Sequence, residues 1–228
     1  MIAHKLEALR ESMEKACLAC GRNPESVHLV AVSKTKGEAL IREAHGTGQR
    51  LFGENYVQEL AAKAENLKDL DLHWHFIGHL QRNKARSVVQ HCALIHSVDS
   101  LRLAEEINRQ AEKTGKIQSI LLQIHLGGEE SKSGLLPEEL PAVLQALQNL
   151  KGIRVEGLMT IPPPAGEAED NRVHFRTLRE LMEKGNGLNL LLSPMTTLSM
   201  GMSDDFQVAI EEGATLIRIG TAIFGKRS

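Results

Sequence analysis

The chain has 228 residues, 42% of them apolar, and its 27 Lys and Arg against 29 Asp and Glu give a formal charge of −2. That length suits one large domain or two small ones, and the near balance of charge argues against non-specific binding to nucleic acid or to an anionic membrane surface. No apolar run reaches the roughly 18 residues of a membrane span, the N-terminus lacks a signal peptide's unbroken apolar centre, and three cysteines make no disulfide framework, so a cytoplasmic protein is expected.

The opening stretch, MIAHKLEALRESMEKACLAC, predicts a helix over residues 3–20 that Gly21 ends. Cys17 and Cys20 form a CxxC one turn apart on that helix. No second CxxC completes a zinc site and no strand precedes the pair, so both read as ordinary helix residues. From there apolar, β-rich runs alternate with helical spacing. Strands are predicted at 27–33, 50–53, 73–77, 92–98, 117–126, 153–159, 195–200 and 215–219, and helices at 37–47, 55–67, 80–90, 100–114, 137–149, 168–186 and 203–212. The segment DSLRLAEEINRQAEKTGK carries the helix signals most fully. Asp99 or Ser100 can cap it, Leu101, Leu103, Ala104 and Ile107 mark one face, and Gly115 stops it.

Strands separated by helices imply a parallel sheet. Eight such units fit an α/β fold of one closed (β/α)8 TIM-type barrel with an extra N-terminal helix, and an open doubly wound sheet is the alternative. No shift of composition marks a boundary, so residues 1–228 read as a single domain. TIPPPAGEAEDN, at 160–171, fits a long βα loop.

A barrel of this kind carries its chemistry at the C-terminal ends of its strands. The first strand, in HLVAVSKTKG, ends on Lys34, with Lys36 two places on. The second ends on Glu54, Asn55 and Tyr56, and the fifth runs toward Lys132. The last two end in LSMGMSDD and RIGTAIFG, which read as an anion site. Gly201 permits close approach, a helix is expected to begin near Ser203, and Arg218, Gly220 and Thr221 follow. Asp204 and Asp205 oppose an anion there, and a plain helix cap with a glycine turn is the other reading.

An unperturbed lysine has a pKa of about 10.4, so roughly one molecule in a thousand carries a free amine at neutral pH. An apolar strand end and nearby cations favour the neutral amine, and lowering the pKa by about three units costs about 4 kcal/mol. A neutral lysine beside a phosphate site suggests an imine with a phosphorylated aldehyde, pyridoxal 5′-phosphate (PLP) being the obvious one. Alternatively, Lys34 snorkels into solvent.

The motifs AVSKTK, FGENYVQE, WHFIG, LQRNK, SKSG, LSMGMSDD and RIGTAIFG, in this order, resemble the YggS/PROSC family of pyridoxal phosphate homeostasis proteins from about residue 3 onward. The resemblance implies a single barrel like the N-terminal domain of alanine racemase, fold type III, with PLP on Lys34 and not on Lys36. It implies Ser199, Gly220 and Thr221 at the phosphate, with backbone help around Met200 and Gly201. Asn55 would lie beside the cofactor, Arg218 would face the pyridine nitrogen and Lys132 would stand near the ring hydroxyl. Gly37, His79, Arg82 and His125 depart from the family's usual residues. The first three affect loop stiffness and rim charge, the last the contacts at the ring.

A pyridine nitrogen facing arginine stays unprotonated, because arginine has no proton to give up. The ring is then a poorer electron sink. Racemases of this fold add a second domain and a tyrosine acting from the opposite face. Here the one tyrosine, Tyr56, reads as a packing residue at a helix start, and the chain closes right after its eighth unit. The expected function is therefore to hold PLP as a Schiff base on Lys34 within intracellular PLP homeostasis, with effects on amino-acid and keto-acid balance and with no catalytic partner residue. The expected partners are PLP and PLP-dependent client enzymes, with no nucleic acid, no membrane and a monomeric state. A PLP-dependent racemase or lyase is the alternative. A metal-dependent hydrolase built on His73 and His75, with His79, His91 and His96 following, is a weaker one. Arg82, Lys84 and Arg86, in LQRNKAR, read as a solvated helix face.

Overall fold

The computed structural model describes residues 1–127 and 133–225. Strands β1 (His28–Val32), β2 (Leu51–Glu54), β3 (His73–Phe76), β4 (Leu94–Val98), β5 (Gln118–Gln123), β6 (Ile153–Met159), β7 (Thr197–Ser199) and β8 (Leu216–Ile219) close in chain order into a parallel barrel. Closure is visible at β1, where Ala31 lies opposite Phe52 of β2 on one side and Ile219 of β8 on the other. Around it run α1 (Ile2–Ala19), α2 (Glu38–Gly46), α3 (Val57–Asn66), α4 (Ala85–His91), α5 (Leu101–Lys113), α6 (Leu140–Leu147), α7 (Arg172–Gly187), α8 (Phe206–Glu211) and the short α9 (Thr221–Phe224). The closed barrel replaces the open-sheet alternative. No described helix is long and apolar enough to cross a membrane.

Successive strand residues face opposite sides, and this divides the apolar residues into two layers. Ala31, Phe52, Phe76, Ile95, Leu122, Leu158 and Ile217 face outward and pack in one large cluster with Ile41, Leu60, Val88, Ile107, Leu144 and Phe175 of the helices. Val30, Leu94, Leu121, Met159 and Leu216 fill the barrel interior. The same alternation places Arg218 on the face of Leu216, and it puts His75 between the outward Trp74 and Phe76. The upper interior is therefore polar, and its side chains must bond to one another to offset their burial.

Helix α1 buries Ile2, Leu6, Leu9, Met13 and Cys17 on one stripe and packs against α2, α8 and α9. Cys17 lies in that core while Cys20 is exposed, which agrees with reading the CxxC as plain helix residues.

The loop after β7 differs from expectation. Helix α8 starts at Phe206, not near Ser203. Asp205 is buried and turns inward. One of its carboxylate oxygens accepts the Met202 amide at 2.6 Å and the other accepts Asn171 Nδ2 at 2.8 Å. The carboxylate does not bond to the first-turn amides of α8; it occupies the Met202 amide, a loop donor that an anion would otherwise use.

Three arginines of α7 pin the end of α8. Glu212 accepts from Arg172 Nη1 at 3.1 Å, Arg176 Nη2 at 2.8 Å and Arg179 Nη2 at 3.3 Å. The bond from Arg176, helped by Arg172 and Arg179 against the cost of burial, holds the Glu212 carboxyl at about 2, below its ordinary value near 4.5. A depressed carboxyl stabilises the fold fully above the unfolded value and loses that contribution as pH falls through the folded one. Urea denaturation is therefore expected to show stability falling between about pH 4.5 and pH 2, and Glu212→Gln should flatten that part of the profile. An unchanged slope in the variant would contradict the assignment.

Candidate functional site

The C-terminal ends of β1 and β2 form one wall. Beyond Val32, Ser33 donates its amide to the Gly53 carbonyl at 3.0 Å, and the Lys36 amide donates to the Ser33 carbonyl at 3.0 Å. Those bonds close a four-residue turn with Lys34 and Thr35 at its centre. Thr35 sits at φ 60°, a left-handed conformation that costs a residue with a Cβ about 1–2 kcal/mol.

A buried ionic cluster holds that turn in place. Lys63 Nζ donates to the Ser33 carbonyl at 2.9 Å, to Glu54 Oε1 at 2.8 Å and to Glu59 Oε2 at 2.9 Å. Ser33 Oγ donates to Glu54 Oε1 at 2.6 Å, and the Thr35 amide donates to Glu59 Oε2 at 2.8 Å. Every proton of the ammonium group is used, and the strained residue is tied to α3 through its own backbone. Burial pushes the Glu54 carboxyl up, against the pull of Lys63 and Ser33. For Glu59 burial pushes upward too, but the bonds from Lys63 and the Thr35 amide prevail and hold it below its usual range.

Asn55 follows at the end of β2. Gly78 packs directly beneath it, where a Cβ would fall 2.2 Å from the Asn55 carbonyl oxygen. The side-chain Oδ1 of Asn55 is buried with no hydrogen-bond partner among the described residues. Such an orphan costs about 1–3 kcal/mol and is the kind of group a ligand can satisfy. Tyr56 stands at the N-cap of α3, as placed from the sequence, but it is 49% exposed instead of packed.

The opposite wall comes from β7 and β8. Ser199 and Met200 are fully buried, the Met200 amide donates to the Leu216 carbonyl at 3.1 Å, and the Gly201 carbonyl accepts the Arg218 amide at 3.0 Å. Gly201 adopts φ +90°. Gly220 lies against β1 so closely that a Cβ there would stand 3.2 Å from the Val32 carbonyl oxygen. That approach sets the Gly220–Thr221 segment, with Thr221 exposed at the start of α9, beside the strand that leads into Lys34.

Arg218 is buried and reaches across β7. Its Nη1 donates to Ser199 Oγ at 2.6 Å and its Nη2 donates to the Thr160 carbonyl at 2.9 Å. Burial lowers its pKa to about 10, with Asp205 opposing, so the guanidinium is a cation at neutral pH. Behind Ser199 lie His96 and His75, an interior pair that the sequence reading did not connect to the site. His75 packs inside the barrel, whereas His73 is exposed and 3.4 Å from Asp71. Among the described residues no group of three or more His, Cys, Asp and Glu is placed to hold a metal ion. Lys132 lies outside the described residues.

Residues 4–228 match the family model described as the alanine racemase N-terminal domain. The chain belongs to the alanine racemase N-terminal domain family. Within that family it is 46% identical to the "Pyridoxal phosphate homeostasis protein" of Pseudomonas aeruginosa, over 99% of this chain and 96% of the relative. It is also 46% identical to the protein of the same name from Aquifex aeolicus, over 98% of this chain and 97% of that one. Among solved structures it resembles PipY of Synechococcus elongatus PCC7942 with PLP bound, at a TM-score of 0.88 and 42% identity, covering 99% of this chain and all of that one.

Proposed function

We propose that this protein holds pyridoxal 5′-phosphate as an imine on Lys34 and serves PLP homeostasis as a carrier of the cofactor, not as an enzyme. The observation that carries this reading is the close approach of Gly220 to Val32, which brings a glycine-bordered segment against the strand that ends on the fixed Lys34 turn. The names of the relatives and the PLP bound to PipY support it.

The residues fit the group. Asn55 offers a buried amide oxygen with no partner among the described residues, and the missing Cβ at Gly220 lets the backbone before Thr221 pack against Val32, beside the strand that ends on Lys34. When bound, PLP supplies an electrophilic aldehyde and a conjugated ring. Lys34 provides the amine. Ser199, Gly220 and Thr221, with the backbone around Met200 and Gly201, take the phosphate. Asn55 would lie beside the ring; Lys132, which the family resemblance assigns to the ring hydroxyl, lies outside the described residues. Arg218, a fixed cation with no proton to release, faces the pyridine nitrogen and keeps it unprotonated. That setting disfavours carbanion chemistry, and the single tyrosine sits half exposed at the N-cap of α3. The same reading has a single-domain monomer working in the cytoplasm, with PLP-dependent enzymes as recipients.

The test is to incubate the loaded protein with D- and L-alanine and with an apo-form PLP enzyme. Expected are racemisation no faster than with free PLP and activation of the apo-enzyme. Saturable racemisation that Lys34→Ala abolishes would favour the racemase reading instead.

A further inference from the structure

A chain of buried polar side chains runs down the barrel axis. Arg218 Nη1 donates to Ser199 Oγ at 2.6 Å, Ser199 Oγ lies 2.8 Å from His96 Nδ1, and His96 Nε2 lies 2.9 Å from His75 Nδ1. At its far end His75 lines a cavity of about 500 Å³ in the N-terminal mouth, together with His28, Ser119, Glu156, Thr197 and Thr215. The chain therefore joins the cofactor end of the barrel to a cavity at the other end.

Both imidazoles are neutral at neutral pH. Burial, aided by His73, pushes His75 down to about 4, and burial, aided by His75 and Arg218, holds His96 well below its ordinary value. A neutral imidazole donates from one ring nitrogen and accepts at the other. The Ser199 hydroxyl has one proton, and Arg218 already occupies one of its lone pairs. Only two arrangements then satisfy the chain. In the first, Ser199 donates to His96 Nδ1, His96 donates from Nε2 to His75 Nδ1, and the His75 proton sits on Nε2. In the second, His75 donates from Nδ1, His96 donates from Nδ1 to Ser199, and the Ser199 proton is free to point toward the C-terminal mouth. A mixed arrangement would put two protons, or none, between the rings.

We propose that His96 and His75 form a tautomer relay that decides whether the Ser199 hydroxyl donates inward or donates to the phosphate of the cofactor. The inference depends on the placing of Ser199 at the phosphate in the proposed function. Passing from the first arrangement to the second takes up one proton at Ser199 from water at the C-terminal mouth. It releases one from His75 Nε2 to water in the cavity and leaves every group in the chain with its charge unchanged. His96 and His75 act here as positioning residues, since neither touches the cofactor.

Long-range ¹H–¹⁵N correlation of the imidazole rings reads the tautomers directly. It is applied to the full ¹⁵N-labelled chain before and after loading with PLP, with Lys34 modification mapped in the same samples. Expected is a joint shift of His75 and His96 from Nε2–H to Nδ1–H. A modified Lys34 with either ring unchanged would overturn the relay and leave the proposed function standing. A Lys34 that takes no PLP would overturn both.

Discussion

Lys63→Met is expected to lower the unfolding free energy by about 3–5 kcal/mol, the usual cost of removing one partner from a buried ion pair. Glu54 is fully buried, and Lys63, itself 7% exposed, is the cation beside it at 2.8 Å. With the ammonium gone, Glu54 must take up a proton or stay charged in the barrel wall. The loss extends to function, because the same ammonium holds the Ser33 carbonyl and, with Thr35, the Glu59 carboxylate. Released from α3, Thr35 can leave its left-handed conformation and move Lys34. Urea denaturation measures the first effect and PLP retention on gel filtration the second. Glu54→Gln combined with Lys63→Met should recover much of the stability without recovering PLP retention. Equal recovery of both would mean that the cluster stabilises the protein without positioning Lys34.

Lys34→Ala is expected to do the reverse, sparing the fold and losing the cofactor. The bonds that Ser33, Thr35, Glu54, Glu59 and Lys63 make around the turn are kept in the variant, and truncation at position 34 should cost about 1 kcal/mol or less. The reducible adduct at the strand end should disappear and retention of PLP should fall about tenfold or more, since a covalent link is replaced by phosphate and ring contacts alone. Circular dichroism with visible absorption separates the two effects. An intact yellow protein would contradict the role given to Lys34.

Much of this could be read from the residues, for a physical reason. Each strand of a barrel must bury an apolar outer face under a helix, so the alternation of β-rich runs with helical spacing predicted all eight strands. The strand ends then followed, and with them Lys34, Asn55, Arg218 and Gly220. The supports behind them could not be read in this way. Glu59 and Lys63 are spaced four apart on α3 and look like a surface pair. Only the folding of α3 under the β1 turn buries Lys63 there. His75 and His96 are 21 residues apart and Ser199 is 103 from His96, so no local pattern couples them. HWHF alternates, but alternation alone does not say which face is the barrel interior. Asp205 was recognised as adverse to an anion, yet its inward turn depends on Asn171, which donates to it from the start of α7. Four-residue α9 is too short to show a period.

Borohydride reduction of the PLP-loaded protein, followed by peptide mapping, tests the central claim most directly. The pyridoxyl group is expected on Lys34. Its appearance on Lys36 alone, or on no residue of the β1 turn, would contradict the account.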